Sequence, residues 1–356
     1  MPIPPTLSRY AVRGPTLESP QSRTRKARSS MIDVVRIDHI SMAVRELEPQ
    51  VELLERVFGF RCCGRLQQPG YVGAEFDIPG ESGITWEVLA PDGPDSYLHR
   101  FLDGKNGPGL HHLALQINDM PQAIQHMESL GVEPWGYAPR GPRPAESDLL
   151  PTEASDEPHE DDDGVSVAYI HPRSGGAGFL FQLTEGAAWS PPEPFEGERS
   201  NSLGITRVSA LGHAHHSRQQ LGDWYEALFG FRTVHNSSNA LSGPSFSSRL
   251  LETPRDQFGI EVMQPSHEDS FLQRFIDRRG SAIHHVMFQV GDIDSAIRTA
   301  ERNGIRALGR QSGTSDRATW DEVFLAPEGT GGLLAGLFSW HETAPAPVPL
   351  VELEPQ

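Results

Sequence analysis

Gly109-Leu110-His111-His112-Leu113-Ala114-Leu115-Gln116-Ile117 returns later in the chain as Ala282-Ile283-His284-His285-Val286-Met287-Phe288-Gln289-Val290. The lead-ins repeat as well. Asp95-Ser96-Tyr97-Leu98-His99-Arg100-Phe101-Leu102-Asp103 is answered by Asp269-Ser270-Phe271-Leu272-Gln273-Arg274-Phe275-Ile276-Asp277. Two such pairs of blocks record an internal duplication. Within the first block Leu113, Leu115 and Ile117 alternate with His112, Ala114 and Gln116, the period of a strand with one apolar face. Each copy therefore sets a histidine on the other face of a strand, the placement a metal ligand needs.

Working outward, residues 36–44 alternate in the same way, with Ile40, Met42 and Val44 opposite His39, Ser41 and Ala43. Leu47, Val51, Leu54 and Val57 then follow at helical spacing, and Gly59 is placed to end the helix. Strands are expected at 60–66, 71–78 and 84–90. The pattern restarts at His112, with a helix from about 120 to 130 and strands near 166–171 and 178–184. Residues 36–184 thus read as two β-α-β-β-β units, and 205–340 repeat the plan. Trp224 to Arg232 matches Leu53 to Arg61, and Asp294 to Asn303 matches the second helix. The fold class is α+β, four βαβββ units in two tandem domains. Their expected bounds are 31–186 and 204–342, joined by a linker at 187–203. Residues 1–30, rich in Pro, Ser and Arg, and residues 343–356 read as disordered tails. The stretch 138–164, crowded with Glu and Asp, reads as a charged loop.

The chain has 356 residues and a formal net charge of −18, which argues against nucleic acid and anionic membranes as partners. No apolar run is long enough to span a bilayer. Cys62 and Cys63 are the only cysteines and are adjacent, which fits reduced thiols in a cytoplasmic protein.

Four strands of the first half each offer a polar residue on the face turned into a cupped sheet: His39, Glu87, His112 and Gln182. A lone strand histidine is usually a hydrogen-bonded core residue. Four such residues at matching positions form a ligand set of two imidazoles, a carboxylate and an amide oxygen. That set suits a divalent ion such as Zn, Co, Ni, Mn or Fe.

With these residues the chain resembles the vicinal oxygen chelate superfamily, the glyoxalase and bleomycin-resistance fold. The pattern is nearest to its methylmalonyl-CoA epimerases. Asp38-His39-Ile40, Phe58-Gly59-Phe60, the Gly109 to His112 block and His171-Pro172-Arg173-Ser174-Gly175 carry the likeness. The resemblance implies tandem vicinal oxygen chelate barrels, with metal ligands from those four strands in the order His, Gln, His, Glu. This chain departs from it, with Glu87 in the second place and Gln182 in the fourth. The family's fourth-position Glu also moves a proton, which an amide cannot do. The resemblance shifts that work to Glu75 on the strand before Glu87, or to Glu87 itself if it leaves the metal. In the second half Glu261 and His285 remain. The places of His39 and Gln182 fall at Ser209 or Ala210 and at Gly336, so that barrel reads as degenerate, with His213, His215 and His216 left as material for a rebuilt site.

The resemblance implies a metal-dependent epimerase or isomerase that inverts a carbon next to a carbonyl through an enediolate. The substrate expected is a small carbonyl compound: a neutral ketose or keto-cyclitol, as in two-barrel proteins resembling 2-epi-5-epi-valiolone epimerases, or an acyl-CoA. The alternatives are a two-barrel non-haem iron dioxygenase and a metal-free protein that sequesters a ligand. A homodimer is left open.

Overall fold

The structure is a computed structural model. It describes residues 31–80, 83–105, 107–137, 166–186, 192–197, 201–237, 245–254, 258–314 and 318–342. The tails at 1–30 and 343–356 and the whole of the acidic 138–164 stretch lie outside the described residues, as does part of the 187–203 linker.

The first unit runs β1 (Val34–Ala43), α1 (Leu47–Leu53), β2 (Arg61–Gln68), β3 (Tyr71–Asp77) and β4 (Thr85–Pro91). Helix α1 continues as a wider π-turn, Leu54–Phe58, and stops at Gly59, whose φ of 76° is the left-handed conformation glycine adopts without strain. A short helix α2 (Leu98–Leu102), formed by the repeated lead-in, carries the chain to the second unit. That unit is β5 (Gly109–Ile117), α3 (Met120–Ser129), β6 (Pro134–Trp135), β7 (Ser166–Ile170) and β8 (Leu180–Glu185). Strand β6 is only two residues long, too short for a periodic signal, and the sequence reading did not place it.

All eight strands join one sheet in the order β2-β3-β4-β1-β5-β8-β7-β6. The order is a palindrome of the two units about the β1–β5 seam. Strand β1 lies parallel to β4 and antiparallel to β5, and β5 lies parallel to β8. His39 stands two residues before Ser41, the partner of Glu87, and His112 stands two before Ala114, the partner of Gln182. A pseudo-twofold at the seam therefore relates His39 to His112 and Glu87 to Gln182.

The second half repeats the design. Its elements are β9 (Ile205–Ala214), α4 (Arg218–Phe229), β10 (Arg232–Asn236), β11 (Phe246–Glu252), β12 (Gly259–Pro265), α5 (Phe271–Arg279), β13 (Ala282–Val290), α6 (Ile293–Arg302), β14 (Ala307–Thr314), β15 (Ala318–Leu325) and β16 (Ala335–Glu342). Their sheet order is β10-β11-β12-β9-β13-β16-β15-β14. Two tandem barrels of mixed α+β content result. Among the described residues no helix is long and apolar enough to cross a membrane.

One continuous core joins the halves. Phe288 of the second half packs against Phe58, Phe60 and Trp86 of the first at ring distances of 5.9–6.0 Å. Phe181 reciprocates against Trp224, Tyr225 and Phe229. Backbones meet so closely that a Cβ on Gly178 would collide with Ser281 O. The φ of Gly178 is +90°, so alanine there also takes a strained backbone. Gly178→Ala is expected to destabilise the protein by more than about 2 kcal/mol in denaturant unfolding. An unchanged midpoint would mean the halves do not pack this way.

Candidate metal centre

His39, Glu87 and His112 come together on the inner face of the first barrel. Each is buried, at 2%, 6% and 6% exposure. His39 Nε2 lies 3.0 Å from His112 Nε2. Glu87 Oε2 lies 3.9 Å from the first and 3.8 Å from the second. One ligand atom from each of the three residues lies within 4.8 Å of the others. Donor atoms bound to one ion at about 2.0–2.2 Å sit roughly 3–3.5 Å apart, so small adjustments would let the three share an ion.

The other side of each ring is already engaged. His39 Nδ1 donates to Asp38 Oδ1 at 2.9 Å, and His112 Nδ1 lies 2.9 Å from His111 Nδ1. Both Nε2 atoms therefore point their remaining capacity at each other, an arrangement that calls for a proton or a cation between them. Glu87 Oε2 is buried with no hydrogen-bond donor among the described residues. An orphaned carboxylate oxygen beside two imidazole nitrogens is a donor set that could hold a divalent ion.

Electrostatics separate the two histidines. Burial alone lowers the His39 pKa, but the Asp38 hydrogen bond and the Glu87 charge outweigh it and the net shift is upward. His112 is held well below the usual range by burial, with His39 and His111 adding to the effect. Burial also pushes His111 down to about 4, so it stays neutral and can accept from His112.

Gln182 is half-buried on β8 opposite Ala114, which in turn lies opposite His39. The register puts it on the same face as the three other residues. Glu75 on β3 is the direct cross-strand partner of Glu87 and is 9% exposed. Its carboxylate lies over Gly64, where a Cβ would come within 3.0 Å of Oε2. Burial and the Glu87 charge push its pKa up to about 7. The period-2 alternation along β3 does turn Glu75 inward.

Three neighbours escaped the sequence reading. Asp38 and His111 sit inside the motifs that carry the resemblance, and nothing in their spacing marks a role. Tyr169, on β7, pairs with Gln182 as Glu75 pairs with Glu87, so the pseudo-twofold relates Tyr169 to Glu75. Its place follows from the register between β7 and β8, which no single segment of sequence shows.

The second barrel fills the same volume with apolar groups. Its register fixes Ala210 at the place of His39 and Gly336 at that of Gln182. Ala210, Met287 and Phe338, with Phe324 against them, form a hydrophobic cluster there. A Cβ on Gly336 would collide with Met287 Sδ. Glu261 and His285 persist with Oε2 and Nε2 4.0 Å apart. His213 is committed elsewhere, to Tyr225 Oη and to Ala177 O of the first half.

Glu322 is also buried on this face, and burial together with Glu261 raises its pKa to about 8. The folded state thus binds more protons than the unfolded chain between about pH 4.5 and 8, and stability falls as pH rises through that window. Glu322→Gln removes the slope. It is expected to gain on the order of 2–4 kcal/mol over the parent at pH 8.5 and little at pH 5. Unfolding curves at both pH values check this, and an equal effect at each would contradict it.

Paired βαβββ units with a His-Glu-His cluster on the concave face define a vicinal oxygen chelate protein. The sequence pattern of the glyoxalase/bleomycin resistance protein/dioxygenase superfamily matches residues 38–148 and 211–324, and the chain belongs to that superfamily. It is 22% identical over 172 residues to mitochondrial methylmalonyl-CoA epimerase of Mus musculus, covering 48% of this chain and 84% of that protein. It is 26% identical over 94 residues to the Dictyostelium discoideum protein of the same name, covering 26% of this chain and only 56% of that relative. Among solved structures, a variant of 4-hydroxymandelate synthase from Streptomyces coelicolor shares the fold over 89% of this chain and 95% of its own, with a TM-score of 0.61 at 13% identity.

Proposed function

We propose that the first barrel is a metal-dependent epimerase or isomerase site acting on a carbon next to a carbonyl. The observation that carries this reading is Glu75. It is a buried carboxylate beside the His-Glu-His cluster, outside the ligand trio, and burial with the Glu87 charge pushes its pKa up to about 7. A general base works best with a pKa near the operating pH.

His39, Glu87 and His112, with Gln182 as a fourth donor, would hold the ion. A divalent ion there supplies Lewis-acid polarisation of a substrate carbonyl, which acidifies the neighbouring C–H. Glu75 takes the α-proton from one side. Tyr169, its pseudo-twofold mate, returns a proton from the other, and the carbon is inverted. The likeness to methylmalonyl-CoA epimerases makes an acyl-CoA one substrate to try. The net charge of −18 favours a neutral ketose or keto-cyclitol.

One observation favours a second reading. Two histidines and one carboxylate form the facial triad of non-haem iron oxygenases, and 4-hydroxymandelate synthase shares the fold over both halves of the chain. Against it, a fourth donor from Gln182 would leave less room for a chelating substrate and O2 together.

The test is incubation of the metal-loaded protein with methylmalonyl-CoA and with keto-cyclitols in D2O. Deuterium at the α-carbon together with inversion supports the reading. Conversion of either compound without α-exchange contradicts it.

A further inference from the structure

His39 uses its two ring nitrogens on opposite sides. Nε2 faces His112 and Glu87. Nδ1 bonds Asp38 Oδ1 at 2.9 Å, and Asp38 Oδ2 accepts from Arg36 Nη2 at 2.5 Å. Asp38 is 0% exposed and Arg36 3%. Arg36 is held in turn by Gln116 Oε1 at 2.8 Å and Gly83 O at 3.0 Å. The register steps from Ile37–Leu115 to His39–Ala114, so Asp38 is the extra residue of a β-bulge. The bulge brings its carboxylate beside the ring of the very next residue.

We propose that Asp38 is a positioning residue. Its carboxylate holds the His39 proton on Nδ1 and so keeps the Nε2 lone pair directed at the divalent ion of the first barrel. This rests on the metal reading given above. A carboxylate can only accept, and a neutral imidazole carries one N–H, so the pairing leaves Nε2 bare. Arg36 neutralises the buried anion and fixes its orientation.

The duplicated half provides an internal control. On β9 the register steps from Phe288–Val208 to Met287–Ala210, so the same bulge leaves Ser209 extra. Arg207 pairs with Gln289 as Arg36 pairs with Gln116. The bulge and the arginine are therefore kept, while Asp38 and His39 are replaced together by Ser209 and Ala210. Arg207 is half-buried where Arg36 is buried, so the second barrel shows the aspartate and the histidine leaving together while the bulge stays. The other ring-to-ring contact behaves differently. His284 Nδ1 lies 3.0 Å from His285 Nδ1 in the barrel without the ligand set, just as His111 meets His112. That contact is independent of the metal site, and the Asp38–His39 contact is not.

The test compares wild type, Asp38→Asn, Asp38→Ser, His39→Ala and Asp38→Asn/His39→Ala as full chains. Zn2+ and Co2+ affinities are measured by competition with a chromophoric chelator, and metal-free unfolding is followed in parallel. Serine is the residue the second barrel accepts at this bulge, which protects the test against a variant that does not fold. Loss of Asp38 is expected to weaken binding roughly 10–100-fold and to have no further effect once His39 is gone. In 15N spectra of the Zn2+-loaded wild type, His39 is expected to carry its proton on Nδ1 and none on Nε2. Affinities in Asp38→Ser equal to wild type, or an equal loss with and without His39, would overturn the positioning role alone. A wild type that takes up neither ion would remove the metal reading, and the role with it.

Discussion

Alanine at His39 or at His112 is expected to lower divalent-ion affinity by more than about 100-fold, beyond the roughly 10–100-fold that loss of an outer-shell partner costs. The trio supplies few donor atoms, all buried and aimed at one point. Removing one imidazole leaves the ion short of a strong donor that Glu87 alone cannot replace. Glu261→Ala/His285→Ala is expected to change neither affinity nor stoichiometry, because Ala210 and Gly336 leave the second barrel without a full ligand set. Equilibrium dialysis with Zn2+ reads both. A His39→Ala protein that keeps its ion, or a second equivalent lost with Glu261 and His285, would place the centre elsewhere.

Glu75→Gln is expected to reduce α-proton exchange in D2O by about 10²–10⁴-fold while metal binding holds. Glutamine keeps the shape beside Glu87 and loses the ability to accept a proton. The pH dependence follows from the Glu75 pKa of about 7. Protonated Glu75 cannot act as a base, so the rate rises about tenfold per unit up to that pKa and levels above it. A bound dication favours the carboxylate and moves this limb to lower pH. The limb should vanish in Glu75→Gln. A variant that exchanges at the parent rate would rule Glu75 out and leave Glu87 as the next base to test.

Much of this architecture is legible in the chain because duplication writes each strong signal more than once. The alternation around His39 and His112 marks the two central strands, and Gly59 marks the end of α1 by its left-handed backbone. The inward turn of Glu75 follows from period 2 along β3. Other features carry no local signal. A two-residue strand such as β6 has no period, and the match of Tyr169 to Glu75 is a matter of register between β7 and β8. The bulge at Asp38 is a matter of register between β1 and β5, which no single segment reveals. The choice between Ser209 and Ala210 as the counterpart of His39 rests on the same kind of one-residue step, and strand pairing resolves it to Ala210. The apolar plug of Met287, Phe338 and Phe324 also needs the third dimension, since these residues come from three strands.

The reading as an epimerase rather than an oxygenase turns most directly on oxygen. The metal-loaded protein, held strictly anaerobic in D2O with methylmalonyl-CoA or a keto-cyclitol, should place deuterium at the α-carbon and invert it as fast as in air. Conversion only when O2 is admitted, with O2 consumed and no α-exchange, would contradict it.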